Sequence, residues 1–255
     1  MTRNIRNQSQ RIAMLIDGDN AQASLIEKML VETTKYGVAS VRRIYGDWTE
    51  ATMNQWKKVL HSHAIQPIQQ FRYTVGKNIT DSALIIDAMD LLHSRRVDSF
   101  CIVSSDSDYT RLATRIREEG MFVIGMGKKS TPNSFVVACD VFVQVENLTD
   151  SEPEVPLSKT SIKSNTVKVP IETSPDKPEP LPLLFEAFHA AMQENGWASL
   201  STMGNVLRQI RPDFDTRTYG FKQLGQLFRA LPDFFEFSET GDQIRLIDEQ
   251  LHNTR

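Results

Sequence analysis

Two near-continuous apolar runs constrain the fold most, one at residues 98–104 around Phe100-Cys101-Ile102-Val103 and one at residues 121–126. Runs of this kind suit strands covered on both faces. Further β-rich runs at 11–16, 39–46, 65–71 and 141–145 alternate with amphipathic helical patterns near 20–36, 50–63, 81–94, 107–119 and 132–138. That alternation is the signature of an α/β, doubly wound parallel sheet, and residues 1–148 are expected to form it.

From Thr149 to Pro180 the pattern gives way to Ser, Thr, Pro, Glu and Lys, with prolines at 153, 156, 170, 175, 178 and 180. Such a segment buries too little apolar surface to offset its chain entropy, so 149–180 reads as a flexible linker. Residues 181–250 resume with an amphipathic helix at Leu183-Leu184-Phe185-Glu186-Ala187-Phe188. Helical patterns follow from Ser201 to Arg211 and from Thr218 to Leu231, and then two β runs flank Glu239-Thr240-Gly241-Asp242. Three helices and a Gly-containing hairpin predict a small winged-helix (α+β) second domain.

The chain has 255 residues, 40% hydrophobic and 24% charged, enough for one large core or two modest ones. No apolar run approaches the roughly 18 residues that span a bilayer, and the first residues are too polar for a signal peptide, so a cytoplasmic protein without membrane contact is expected. Cys101 and Cys139 lack the spacing of a zinc site and read as buried, reduced thiols. A net charge of −3 offers no global attraction to nucleic acid. Several acids of the first half fall into one cluster, which leaves the surface around it more basic than the total suggests.

In a parallel sheet the carboxyl ends of strands and the starts of the following helices share one edge. Asp17, in Ile16-Asp17-Gly18-Asp19-Asn20, ends the first strand, Asp81 opens a helix, and Ser104-Ser105-Asp106-Ser107-Asp108 follows another strand. These acids converge on one rim. Clustered carboxylates repel one another and are costly to bury unless they hold a cation or take up protons. A hard divalent ion, Mg²⁺ or Mn²⁺, bound by Asp oxygens and water answers that need and suits phosphodiester hydrolysis.

Gly18 permits a tight turn, and Asn20 can cap the next helix. At about 100° per residue, Asp81 continues the stripe of Leu84, Ile85, Ala88, Leu91 and Leu92 and so faces the sheet, whereas Asp87 and Asp90 read as solvated surface. Two Asp at i and i+2 beside Ser104 and Ser105 exceed what capping requires and suit orientation of a metal and its waters. Lys77, on a loop before Asp81, can bind phosphate. His61, His63, His93 and His189 lack paired metal spacing. Neither a Gly-x-Gly-x-x-Gly turn nor a phosphate-binding Gly-Lys-Ser/Thr loop is present, so dinucleotide or NTP binding is unsupported.

Taken together, Ile16-Asp17-Gly18-Asp19-Asn20, Gly76-Lys77-Asn78-Ile79-Thr80-Asp81 and Val103-Ser104-Ser105-Asp106-Ser107-Asp108-Tyr109 resemble an NYN domain, the PIN-like nuclease fold of the LabA and limkain type. The stretch from Asn195-Gly196-Trp197-Ala198 through Arg211-Pro212-Asp213-Phe214-Asp215 to Tyr219-Gly220-Phe221-Lys222-Gln223-Leu224 resembles a LOTUS, or OST-type HTH, domain. The resemblance implies a metal-dependent nuclease acting on RNA, with a module that binds RNA or a protein partner. By position, Asp17, Asp81, Asp106 and Asp108 match the acidic site, and Asn20 and Lys77 its polar supports. In the second domain the aromatics, Trp197 among them, are assigned to the core. Arg217, Tyr219 and Lys222, at the start of the third helix, are assigned to the contact surface. Two alternatives stay open: an RNA-binding adaptor without catalysis, and an Asp-nucleophile phosphohydrolase of the haloacid dehalogenase type, with Asp17 as nucleophile and Asp19 as acid/base.

Overall fold

The computed structural model describes residues 10–71, 79–149 and 180–247. They form two compact units, each with its own core. In the first, strands β1 (Arg11–Asp17), β2 (Val38–Gly46), β3 (Gln66–Gln69), β4 (Ser99–Val103), β5 (Phe122–Gly127) and β6 (Val141–Gln144) make one sheet in the order β3-β2-β1-β4-β5-β6. Every pairing is parallel. Between the strands lie helices α1 (Ile26–Thr33), α2 (Asn54–Val59), α3 (Ile79–Ser94), α4 (Thr110–Glu118) and α5 (Asn133–Ala138). This is the PIN-like, doubly wound architecture expected from the alternation.

Period-two side-chain alternation divides the core between the two faces of the sheet. From β1, Ala13 and Leu15 join Leu84, Ala88, Leu112 and Phe135 on the face covered by α3, α4 and α5. Ile12, Met14 and Ile16 join Ile26, Met29, Met53 and Trp56 on the face covered by α1 and α2. Both cysteines are buried and free. Burial pushes the Cys101 thiol up to about 12, so it stays protonated.

Strand order reverses between β1 and β4, because the chain builds outward to β3 and then returns through α3 to the other side of β1. The carboxyl ends at such a reversal leave a crevice where ligands of open α/β sheets bind. Gly18 stands there because a Cβ would come within 2.8 Å of the Tyr45 carbonyl oxygen. Its own amide donates to that same oxygen at 2.9 Å, tying the end of β1 to β2.

Three local expectations need correction. The helix expected from residue 20 begins later, with a single 3-10 turn at Ala23–Leu25. The amides of Asn20 and Ala21 first close turns on the Asp17 carbonyl, so Asn20 is free of capping duty. Asp87 is half-buried rather than solvated: it accepts from Arg43 Nη1 at 3.0 Å and Tyr45 Oη at 2.9 Å. Arg43 and Tyr45, two apart on β2, share the face that α3 covers, and a helix-only argument could not see them. The helix expected over 50–63 ends at Val59.

In the second unit, helices α6 (Leu181–Ala191), α7 (Leu200–Ile210) and α8 (Leu224–Arg229) pack on a small antiparallel sheet. Its strands are β7 (Ala198–Ser199), β8 (Phe235–Phe237) and β9 (Gln243–Leu246), in the order β7-β9-β8. Phe188, Leu207, Phe228 and Ile244 are at most 1% exposed in its core, where Phe228 and Phe235 meet edge to face at 4.9 Å. The helix expected over Thr218–Leu231 is broken. A 3-10 turn at Thr216–Tyr219 ends at Gly220, whose φ of +85° stops it, and α8 starts only at Leu224. Trp197 lies outside the core, half-buried, with the Arg245 guanidinium 4.8 Å above its ring. The proposed linker, 149–180, falls almost wholly outside the described residues.

Candidate metal centre

Asp17 is 1% exposed at the end of β1. Its Oδ2 accepts from Ser104 Oγ at 2.9 Å and Asn20 Nδ2 at 2.7 Å, and its Oδ1 accepts from the Asp19 amide at 3.1 Å. Burial raises its pKa, the three bonds oppose that rise, and the charge of Asp19 adds to it. Both oxygens are therefore engaged by the protein. Ser104 also accepts from the Asp106 amide at 3.1 Å, so a single hydroxyl joins β1 to the turn after β4.

Asp81, in the first turn of α3, lies on the stripe of buried Leu84, Ala88 and Leu91, as its spacing predicts. It is half-buried, and Tyr109, fully buried, donates its hydroxyl to Asp81 Oδ1 at 2.6 Å. Burial pushes the Asp81 carboxyl up, the Tyr109 bond opposes this, and the charges of Asp17, Asp106 and Asp108 push it further up. Its burial, and then the same acidic surroundings, raise the Tyr109 phenol. Asp106 caps the short turn Ser107–Tyr109, its Oδ1 accepting from the Asp108 amide at 2.9 Å.

Among the described residues, Asp81, Asp106 and Asp108 each offer a carboxylate oxygen within 4.8 Å of the others. Ligand oxygens about 2.1 Å from an octahedral Mg²⁺ lie at most about 4.2 Å apart, so the three acids reach a shared ion with small side-chain adjustments. The donor set is all oxygen and anionic, which fits a hard divalent cation rather than zinc. Asp17 stands outside this group. It acts on Asp81 through its charge and is joined to the Asp106 turn through Ser104. Ser105 has a different role, its hydroxyl accepting from the Lys128 amide at 2.9 Å and so holding the loop after β5. Lys77 lies outside the described residues.

Two residues escaped the sequence argument. Tyr109 looks like a core aromatic from spacing alone, and only the fold brings its hydroxyl to Asp81. Asp47, 4% exposed, follows β2 on the same rim and accepts from Thr49 Oγ1 at 2.6 Å and Gln69 Nε2 at 2.9 Å. The strand-end rule that found Asp17 applies equally to Asp47, which directly follows the strand expected over 39–46 and observed to end at Gly46.

In the second unit the three proposed contact residues differ in availability. Lys222 is exposed. Arg217 makes a two-pronged ion pair with Asp215, with Nη2 to Oδ2 at 2.5 Å. Tyr219 is half-buried against Phe214, its pKa raised by burial.

Residues 11–146 match the NYN domain, a segment that contains the whole acidic rim. The chain belongs to the NYN domain family. In this NYN protein, residues 176–245 match the OST-HTH/LOTUS domain, in the order the motifs predict. The NYN match implies a nuclease-type fold, and the LOTUS match implies an RNA-binding module. No curated protein matches the chain. Of solved structures, a protein of unknown function from Vibrio parahaemolyticus is 20% identical, with 54% of this chain and 94% of that one covered and a TM-score of 0.45. An uncharacterized protein from Nitrosomonas europaea is 28% identical over 37% of this chain and 100% of its own, with a TM-score of 0.27. MurG from Acinetobacter baumannii is 13% identical over 53% of this chain and 41% of its own, with a TM-score of 0.35. Among the described residues no helix is long and apolar enough to cross a membrane.

Proposed function

We propose that the NYN unit hydrolyses phosphodiester bonds of single-stranded RNA with Mg²⁺ or Mn²⁺, and that the LOTUS unit holds the RNA or a protein partner. The observation that carries this reading is the meeting of Asp81, Asp106 and Asp108 at the strand-order reversal, within 4.8 Å of one another. These three residues would hold the ion, which when bound supplies a water of lowered pKa and neutralises charge on the phosphate. The chain's own contribution is orientation. Tyr109 fixes one Asp81 oxygen, and Ser104 and the Asp108 amide fix the Asp106 turn. Asp108, exposed at the lip, would position an attacking water.

The Asp-nucleophile reading is disfavoured by the burial of Asp17, since a nucleophile needs an accessible lone pair. The test is incubation of the full chain with labelled single-stranded RNA, with Mn²⁺ and with EDTA, beside Asp81→Asn prepared identically. Cleavage that needs the metal and is lost in the variant supports nuclease function. RNA binding without cleavage in either protein would make the chain an adaptor.

A further inference from the structure

The carboxyl rim has an order that the metal group alone does not explain. Its segments are stitched to one another: Gln70 N donates to Gly46 O, Gly18 N to Tyr45 O, Ser104 Oγ to Asp17 and Lys128 N to Ser105 Oγ. Read along the sheet from β3 to β5, the residues at the strand ends are Phe71, Trp48, the acidic group, and then Lys128 with Lys129. At about 4.8 Å between strands, the five ends span roughly 20 Å.

Phe71 is 50% exposed just past β3. Trp48, half-buried just past β2, is pinned: its indole N–H donates to Ile68 O at 3.0 Å and its amide to Gln69 Oε1 at 3.0 Å. Gln69 is in turn held by the buried Asp47 carboxylate. Thus a buried carboxylate, outside the metal group, holds the Trp48 backbone at the rim through Gln69, while the ring is fixed by Ile68 and by packing on the core under α1 and α2. On the far side Lys128 and Lys129 are exposed, and their ammonium groups enter no ion pair among the described residues.

We infer that this rim is a track for an unpaired polynucleotide strand, with bases on one side of the acidic group stacking on Trp48 and Phe71 and phosphates on the other side meeting Lys128 and Lys129. Fixed aromatic faces beside cationic side chains are what single strands bind without regard to base identity, and a duplex, whose bases are already stacked, cannot use them. The track rests on the nuclease reading for the identity of the scissile group but not for its own existence.

The test is photo-crosslinking of the full chain to a single-stranded oligonucleotide carrying 4-thiouridine, in Mn²⁺ and in EDTA, with adducts mapped by mass spectrometry. Parallel arms use the same strand annealed to its complement and a deoxy strand carrying 4-thiothymidine. Adducts on Trp48 or Phe71 that vanish on annealing, and whose yield falls at least severalfold in Phe71→Ala and in Lys128→Gln/Lys129→Gln, are expected. The exposure of Phe71, Lys128 and Lys129 makes those variants safe for folding. The ratio of ribo to deoxy adducts separates the two sources of unpaired strand. Adducts confined to other residues, or equal for single and annealed strands, would overturn the track. Rim adducts without any cleavage would leave the track standing and remove the nuclease reading.

Discussion

The Ser104 hydroxyl donates to the buried Asp17 carboxylate at 2.9 Å, across the two strands between which strand order reverses. The same oxygen receives the Asp106 amide at 3.1 Å. Removing it in Ser104→Ala leaves a buried carboxylate with one donor fewer and the Asp106 turn untied. The expected cost is about 1–3 kcal/mol of stability in urea denaturation. A Mn²⁺ affinity about 10- to 100-fold weaker, measured by calorimetry, is also expected. Unchanged affinity would show that the Asp106 turn holds itself.

Tyr109→Phe removes a single hydroxyl from a fully buried ring and leaves its packing in place. Asp81 loses the bond that opposes its raised pKa, so the carboxyl rises further and competes less well for a cation at neutral pH. The variant should fold, bind Mn²⁺ roughly tenfold more weakly, and recover part of that deficit as pH rises. A pH-independent deficit would argue for a purely steric role.

In the cation-free protein, both Asp17 and Asp81 hold their protons more tightly folded than unfolded, mainly through burial. From the ordinary value of 3.8 up to the raised folded value, the native state binds more protons, so stability falls as pH rises through that window and remains lower above it. Asp98, held below 3.8 by its bond from Arg11, works in the opposite direction. The difference between wild type and Asp81→Asn therefore isolates the effect. In EDTA, the variant should gain stability over wild type as pH rises from 4 towards neutrality, and Mn²⁺ should reverse the ranking. A difference that does not vary with pH would contradict the electrostatic account.

Gly127, the last residue of β5, passes close beneath the Ser104 backbone: a Cβ there would lie 2.4 Å from the Ser104 carbonyl oxygen and 2.8 Å from Thr131 Oγ1. Gly127→Ala should cost about 1–3 kcal/mol in chemical denaturation, because the nearest atom is backbone and has to move. Metal affinity should fall with it, since Ser104 carries both Asp17 and the Asp106 turn. Wild-type stability and affinity would refute this coupling.

The sheet was legible because its strands are short apolar runs between amphipathic stretches, and the rim because Asp17, Asp81 and Asp106 each follow or open an element. Asp81 could be aimed correctly from its stripe alone, a periodicity within one helix. What escaped needed a second element. Asp87 finds Arg43 and Tyr45 on β2, Tyr109 finds Asp81 on α3, and Trp197 finds Arg245 on β9, pairings fixed by packing rather than by local pattern. Asn20 shows the converse, since its residue type suits capping but its backbone amide closes a turn on the Asp17 carbonyl and its side-chain amide donates to the Asp17 carboxylate. The break between Gly220 and Leu224 was foreshadowed only by Gly220, where a φ of +85° ends the turn.

The most direct measurement is a calorimetric titration of Mn²⁺ into the full chain at neutral pH, for wild type, Asp81→Asn, Asp106→Asn and Asp19→Asn. Asp19 sits on the same rim outside the three-carboxylate group. Saturable binding in wild type and Asp19→Asn, weakened at least tenfold in both Asp81→Asn and Asp106→Asn, is predicted. Equal binding in all four proteins would contradict a cation shared by those carboxylates.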